Sequence, residues 1–155
     1  MLVRREDGYE IDTAPERLDL PRIHRWLSTD AYWALGRSEA TVATAVANST
    51  CYGVYDPNGQ QVGFARAVTD NATFAWVCDV YIDRAVRGHG LGTWLAQSIV
   101  ADLTERGVPR MILATADAHE IYRKAGFREI ARPSFWMEVD RRPPIPYPTR
   151  DVADT

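Results

Sequence analysis

Apolar positions recur along this chain in two rhythms. Between residues 51 and 82 they form short runs bounded by turn residues; between Leu91 and Leu103 they fall three and four apart. The first rhythm predicts strands over 51–55, 61–69 and 74–82. Asp56-Pro57-Asn58-Gly59 joins the first two as a hairpin, and Asp70-Asn71-Ala72 turns the chain into the third. The second rhythm puts Leu91, Trp94, Leu95, Ile99, Val100 and Leu103 on one face of a helix from Gly90 to about Arg106, stopped by Gly107 with Pro109 beyond. Upstream, 9–12 predicts a short strand. A first helix, 21–27, has Pro21 near its start and Ile23, Trp26 and Leu27 inside. Ser28-Thr29-Asp30 predicts the cap of a second turn carrying Tyr32, Trp33 and Leu35, and Ser38 caps a further helix around Val42 and Val46. Downstream, 111–114 predicts a buried strand parallel to the one before the long helix. Asp117 is expected to cap a helix through Lys124, which Gly126 ends, and 127–131 and 134–139 predict two last strands.

The order of elements predicts an α/β chain of α+β type, with a mixed, mostly antiparallel sheet of six to seven strands and about four helices. Its 155 residues suit one domain, residues 1–140. Prolines 143, 144, 146 and 148 prevent regular structure in the remainder, and 141–155 is expected to be a surface or disordered tail.

Composition narrows the chemistry by exclusion. The net charge of −3, with Lys124 the sole lysine, offers no nucleic-acid surface. No run approaches membrane-spanning length and the N-terminus lacks an apolar leader, so a cytoplasmic location is expected. Cys51 and Cys78 make no disulfide framework. His24, His89 and His119 lack metal-ligand spacing, and no Gly-x-Ser-x-Gly nucleophile turn is present. Cys78 reads as a buried inert thiol in preference to an acyl carrier.

The strand at 74–82 runs into Arg87-Gly88-His89-Gly90-Leu91-Gly92, which opens the long helix. Strand, glycine turn and helix form an anion site, because glycines admit an anion close to the backbone and the first helical N–H groups lack internal partners. The spacing is neither the dinucleotide fingerprint nor a P-loop. Some thirty residues on stands Tyr122-Arg123-Lys124-Ala125-Gly126-Phe127. Together these stretches resemble the GNAT superfamily of acetyl-CoA-dependent N-acetyltransferases. Arg87, Gly90 and Gly92 match its Arg-x-x-Gly-x-Gly loop, and Tyr122, Gly126 and Phe127 match its Tyr-x-x-x-Gly-Phe helix end. The likeness covers residues 8 to 140. The runs 31–38 and 117–119 also look like those of one bacterial subgroup.

The resemblance implies acetyl-CoA as co-substrate and no metal. The backbone of Arg87, Gly88, His89, Gly90, Leu91, Gly92 and Thr93 would cradle the pyrophosphate. Val80, Tyr81 and Ile82 would pair with the pantetheine arm as an added strand and offer an N–H to the thioester oxygen. Thr115 stands where many members carry a coenzyme-binding asparagine. Tyr122 matches the tyrosine that protonates the departing thiolate; a phenol has an ordinary pKa of ~10. Asp79 is the carboxylate nearest the expected acetyl site and the candidate base. A structural bond to a loop or helix end is its alternative reading, and Glu120, Asp83 and Glu39 are weaker candidates.

The expected reaction is direct transfer of acetyl to a primary amine in a ternary complex. Tyr32 and Trp33 are candidate acceptor contacts or, alternatively, core. A small-molecule amine is favoured over a protein N-terminus or lysine, and a non-catalytic acyl-CoA-binding module is the alternative function. A homodimer through the last strands is a further possibility.

Overall fold

The computed structural model describes residues 1–148. Six strands form one sheet in sequence order: β1 (Leu2–Arg4), β2 (Glu10–Asp12), β3 (Thr50–Tyr55), β4 (Gln61–Thr69), β5 (Ala75–Ile82) and β6 (Met111–Ile112). β1 to β5 are an antiparallel meander, and β6 lies parallel to β5. Four helices accompany them: α1 (Leu20–Thr29), α2 (Glu39–Ala47), α3 (Leu91–Glu105) and α4 (His119–Lys124). This is the mixed, mostly antiparallel architecture expected, and the hairpin and long helix lie where the pattern puts them.

Local chemistry explains most boundaries. Asp19 accepts from the N–H of Arg22 and starts α1; Ser38 accepts from Thr41 and starts α2. Asp56 Oδ1 takes the N–H groups of Asn58 and Gln60 in the hairpin, and Asp70 takes those of Ala72 and Thr73 in the next turn. The crossover through α3 makes β6 parallel, because a strand returning after a helix re-enters in the same direction.

The sheet is covered on both faces. Leu91, Leu95, Ile99 and Leu103 of α3 pack on Tyr52, Val54, Ala65, Ala67 and Val77. Tyr52 donates to Asp102 of α3 at 2.8 Å, and burial pushes this phenol well above its ordinary pKa. On the other face Ile23, Trp26, Leu27 and Val42 meet Cys51, Phe64 and Tyr81.

β5 changes phase within its own length. Arg66 opposes Cys78 and Phe64 opposes Tyr81, so two residues, Asp79 and Val80, face the single Ala65. Asp79 is the inserted residue, with φ +52. A bulge of this kind shifts the side-chain alternation by one. Val77 points to the α3 side before it, and Val80 and Ile82 point there after it. β5 also parts from β6 early: only Ala75↔Met111 and Trp76↔Ile112 are paired.

Several boundaries differ from expectation. Ser28 and Thr29 extend α1, and Asp30 is its C-cap; they start no second turn. The α4 cap is Ala118, whose N–H bonds Thr115 Oγ1, whereas Asp117 is exposed. Residues 127–131 and 134–139 form no strand: they lack a ladder partner among the described residues, and 133–135 is a 3-10 turn. β1 was not foreseen; three residues carry too little alternation to register. Residues 141–148 are without regular structure, and the expectation for 149–155 lies outside the described residues.

Asp30 ties the end of α1 to the segment before α3. Tyr81 donates to it at 2.6 Å, Arg84 pairs with it, and Arg87 lies 3.7 Å away. The Arg84 and Tyr81 bonds hold its pKa at about 2, below the ordinary 3.8. A depressed carboxylate pKa stabilises the fold fully above the unfolded value and is lost as pH falls through the folded one. Asp30→Asn is therefore expected to lower the Tm near neutral pH, with the gap to wild type closing below about pH 4, as thermal melts across pH would show.

The fold also makes a packing prediction. A Cβ at Gly53 would fall 2.7 Å from Cζ of the fully buried Tyr55, whose ring is capped by Arg17 at 3.9 Å. Gly53→Ala should destabilise by about 1–3 kcal/mol through overpacking, a Tm loss of roughly 5 °C at this size, measured by calorimetry.

Candidate active site

The site lies where β5 parts from β6. Beyond Trp76 the β5 edge is free of β6, and this stretch carries Val80, Tyr81 and Ile82. The chain then passes a 3-10 turn at Arg84–Val86 and reaches α3 through Gly88 (φ +86) and Gly90 (φ +72). Gly90 caps α3 without a side-chain bond, in a left-handed conformation that other residues adopt at a cost. A Cβ on Gly88 or Gly90 would meet nothing within 4 Å, so the loop's outer surface is open. The α3 N-terminus thus presents N–H groups to an unobstructed space, a surface suited to a pyrophosphate.

Side chains fix this loop from three directions. Asp83 caps the 3-10 turn through the N–H of Ala85 and accepts from the Trp26 indole at 3.2 Å. Arg87 folds back, donating to Ile82 O at 2.9 Å with its guanidinium beside the Tyr81 ring. Arg5 donates to His89 O at 3.0 Å and lies between the rings of Tyr9 and Trp94, 5.3 Å from each. Leu91 is core, His89 is exposed, and Gly92 and Thr93 are half-buried at the helix start. The Tyr81 side chain belongs to the fold: it stacks on Trp26 at 5.3 Å, and burial with the Asp30 bond pushes its phenol up to about 12.

Tyr122 stands on α4 against Phe127, ring to edge at 5.9 Å. Burial pushes its phenol well above the ordinary value, and nearby Tyr32 and Asp117 add to the rise. Tyr32 comes from the segment between α1 and α2. Its hydroxyl accepts from the N–H of Ala116 at 3.2 Å, joining the α1–α2 segment to the β6–α4 loop. Trp33 stands perpendicular to Tyr32 with centroids 5.0 Å apart. Trp26 is core. Thr115 Oγ1 is engaged by Ala118.

Asp79 has surroundings unlike those of a base. Its side chain is 2% exposed. Oδ2 pairs with Arg66 at 2.6 Å and Arg37 at 2.7 Å, and Oδ1 accepts from Trp33 Nε1 at 3.0 Å. Burial alone would raise its pKa; attraction to the two guanidiniums outweighs that and lowers it. A base needs a lone pair that substrate can reach and a pKa raised toward neutrality, whereas Asp79 is buried and its pKa is lowered. The alternative carboxylates are no better placed. Asp83 is engaged as described, Glu120 is exposed and paired with Arg123, and Glu39 is exposed on the first turn of α2. Arg37 is a structural partner here. Arg66 escaped notice, although an arginine inside the apolar run 61–69, one hairpin from Asp79, is a legible sign of charge pairing. Burial raises the thiols of Cys78 to about 11 and Cys51 to about 12, leaving both as poor nucleophiles.

Residues 20–127 match the model of the acetyltransferase (GNAT) family. A Gibberella zeae protein named as an acetyltransferase is 31% identical over 137 residues, covering 75% of this chain and 76% of its own. The crystal structure of a GNAT-family acetyltransferase from Xanthomonas campestris pv. campestris superposes with a TM-score of 0.80 at 38% identity, over 91% of this chain and 97% of that one. The fold is shared with Rv2747 of Mycobacterium tuberculosis, solved with CoA (TM-score 0.64, 23% identity, 77% and 72% covered). The glycine-opened helix and the parted strands are thus parts of a known whole: the chain belongs to the GNAT family of acetyltransferases, enzymes that use acetyl-CoA.

Proposed function

We propose that this protein transfers the acetyl group of acetyl-CoA to the primary amine of a small acceptor, by direct attack in a ternary complex. The observation that carries this reading is the β5 edge, freed from β6 beyond Trp76 and leading into an open glycine loop. The pantetheine amides pair with the backbone of Val80, Tyr81 and Ile82, and one N–H there takes the thioester oxygen. The N–H groups from Gly88 to Thr93 take the pyrophosphate, and the Thr115 hydroxyl retains its proton for a further coenzyme contact.

The amine nitrogen attacks the carbonyl carbon, the C–N bond forms, and the C–S bond breaks as the tetrahedral intermediate collapses. The departing sulfur takes its proton from Tyr122, which solvent then reprotonates. With its pKa raised, Tyr122 is protonated at every physiological pH and always available as donor. The amine proton passes to water, since the nearby carboxylates are engaged or face outward. Tyr32 and Trp33 form the acceptor wall. The Tyr32–Ala116 bond draws the two sides of the site together, which favours a small amine over a protein chain.

A panel of small amines and short peptides, assayed for acetyl-dependent thiol release, tests the acceptor class; turnover confined to peptides would refute it. Tyr122→Phe is expected to lower kcat by about 10²-fold or more while the KM for acetyl-CoA stays within a factor of about 2, as expected for a group acting only in the transition state. Asp79→Asn separates scaffold from base. Asparagine tolerates a positive φ, so the backbone is kept, while the charge is lost and an acceptor oxygen becomes a donor; the change should destabilise the protein by about 3 kcal/mol or more, because two half-buried guanidiniums lose their anion. Measured below the variant's melting range, kcat should fall less than about tenfold; a loss of about 10²-fold or more at unchanged Tm would mark a base.

A further inference from the structure

Two guanidiniums meet one carboxylate beside the proposed acceptor wall. Arg66 and Arg37 both bond Asp79 Oδ2, at 2.6 and 2.7 Å, and Trp33 of the wall bonds the other oxygen. One guanidinium is enough to neutralise Asp79, so two positive charges against one negative leave one in excess. The arginine side chains are 22% and 15% exposed for Arg37 and Arg66. At such half-buried positions water and salt screen a charge less than at an open surface.

Donors are left over as well. Among the described residues, hydrogen bonds engage Nη1 of Arg37, to Asp79, and Nε and Nη1 of Arg66, to Asp79 and Ser49. Nε and Nη2 of Arg37 and Nη2 of Arg66 have no acceptor among those residues, and none of the three is sealed from solvent. A guanidinium holds its N–H groups in a planar fork that fits a carboxylate.

The floor beside the pair is apolar. Arg66 opposes Cys78 and Val68 opposes Trp76, so the four side chains share one face of the sheet. The helices α1 and α2 cover Cys51, Phe64 and Tyr81 on this face. They leave Val68 exposed and Trp76 and Cys78 partly so.

We propose that the acceptor is a primary amine with an apolar body and a carboxylate of its own, and that Arg37 and Arg66 hold this carboxylate while the amine meets the thioester. The assignment rests on the acetyl-transfer reading above and names its substrate class. Asp79, one residue before Val80 on β5, ties the anion site to the strand edge on which that reading presents the acetyl group. The excess positive charge excludes polycationic amines and draws in an anion, and the apolar floor takes the rest of the molecule.

Matched amines assayed by acetyl-dependent thiol release test this: phenylalanine against phenethylamine, and ε-aminocaproate against hexylamine. In at least one pair kcat/KM is expected to be ~10-fold or more higher for the acid, the size of a hydrogen bond between charged groups, with the difference lying in the KM for the amine. Arg37→Gln should cut this preference at least ~10-fold while the KM for acetyl-CoA stays within a factor of about 2. An arginine with a structural role alone would lower both members of a pair alike. Arg37→Lys keeps the charge against Asp79 but loses the fork, so it is read where the glutamine variant does not fold, with the preference expected to fall at least ~3-fold. Equal or higher turnover of amines without a carboxylate would overturn the assignment and leave acetyl transfer standing, as would a preference that survives in the folded variant. Turnover of peptides alone, or of nothing, would overturn the small-amine reading and this assignment with it.

Discussion

The structure depends on a single buried carboxylate held in a left-handed backbone. Asp79 inserts an extra residue into β5, and its oxygens are held by Arg66, Arg37 and Trp33. Removing a carboxylate from water costs several kcal/mol, and only close partners offset that cost. Those partners come from β4 and from the segment between α1 and α2, so satisfying the charge also fixes three pieces of chain. The bulge reverses the alternation of β5, turning Val80 and Ile82 toward α3 and Tyr81 toward α1. One local distortion thereby sets the side-chain phase of the free β5 edge and anchors Trp33.

In the proposed reading, the two halves of the site are made of different materials. The donor half is backbone: a strand edge and a helix N-terminus, with Asp30, Asp83 and Arg5 steadying the turn between them. Such a half tolerates variation in its side chains, provided that glycine remains where the chain must turn left-handed. The acceptor half is side chain: Tyr32, Trp33 and Tyr122, positioned by contacts between segments far apart in sequence.

Much of this was legible beforehand. The hairpin was written in Asp56-Pro57-Asn58-Gly59, α3 in its apolar spacing, and the turn into α3 in Gly88, Gly90 and Gly92. Each is a local signal, decided by residues within a few positions of one another. What could not be read was decided by distant groups. Asp79 was conspicuous as a carboxylate in an apolar strand, yet whether it was base or scaffold turned on Arg37 and Arg66. Arg5 left no trace of its bond to His89 O. Residues 134–139 carry a strand pattern but form no strand here, because a strand requires a partner as well as a sequence.

The sequence by itself determined the hairpin, the long helix, the glycine turn, the resemblance to acetyltransferases and Tyr122 as the matching tyrosine. These follow from periodicity, backbone freedom and motif spacing, which act over short stretches of chain. Tertiary structure alone decided that Asp79 is an ion-paired anchor, that Tyr32 reaches across to Ala116, and that β5 parts from β6 after two pairs. The physical reason is common to all three: burial, charge pairing and strand separation depend on which distant groups arrive beside a residue, and only the folded chain brings them there.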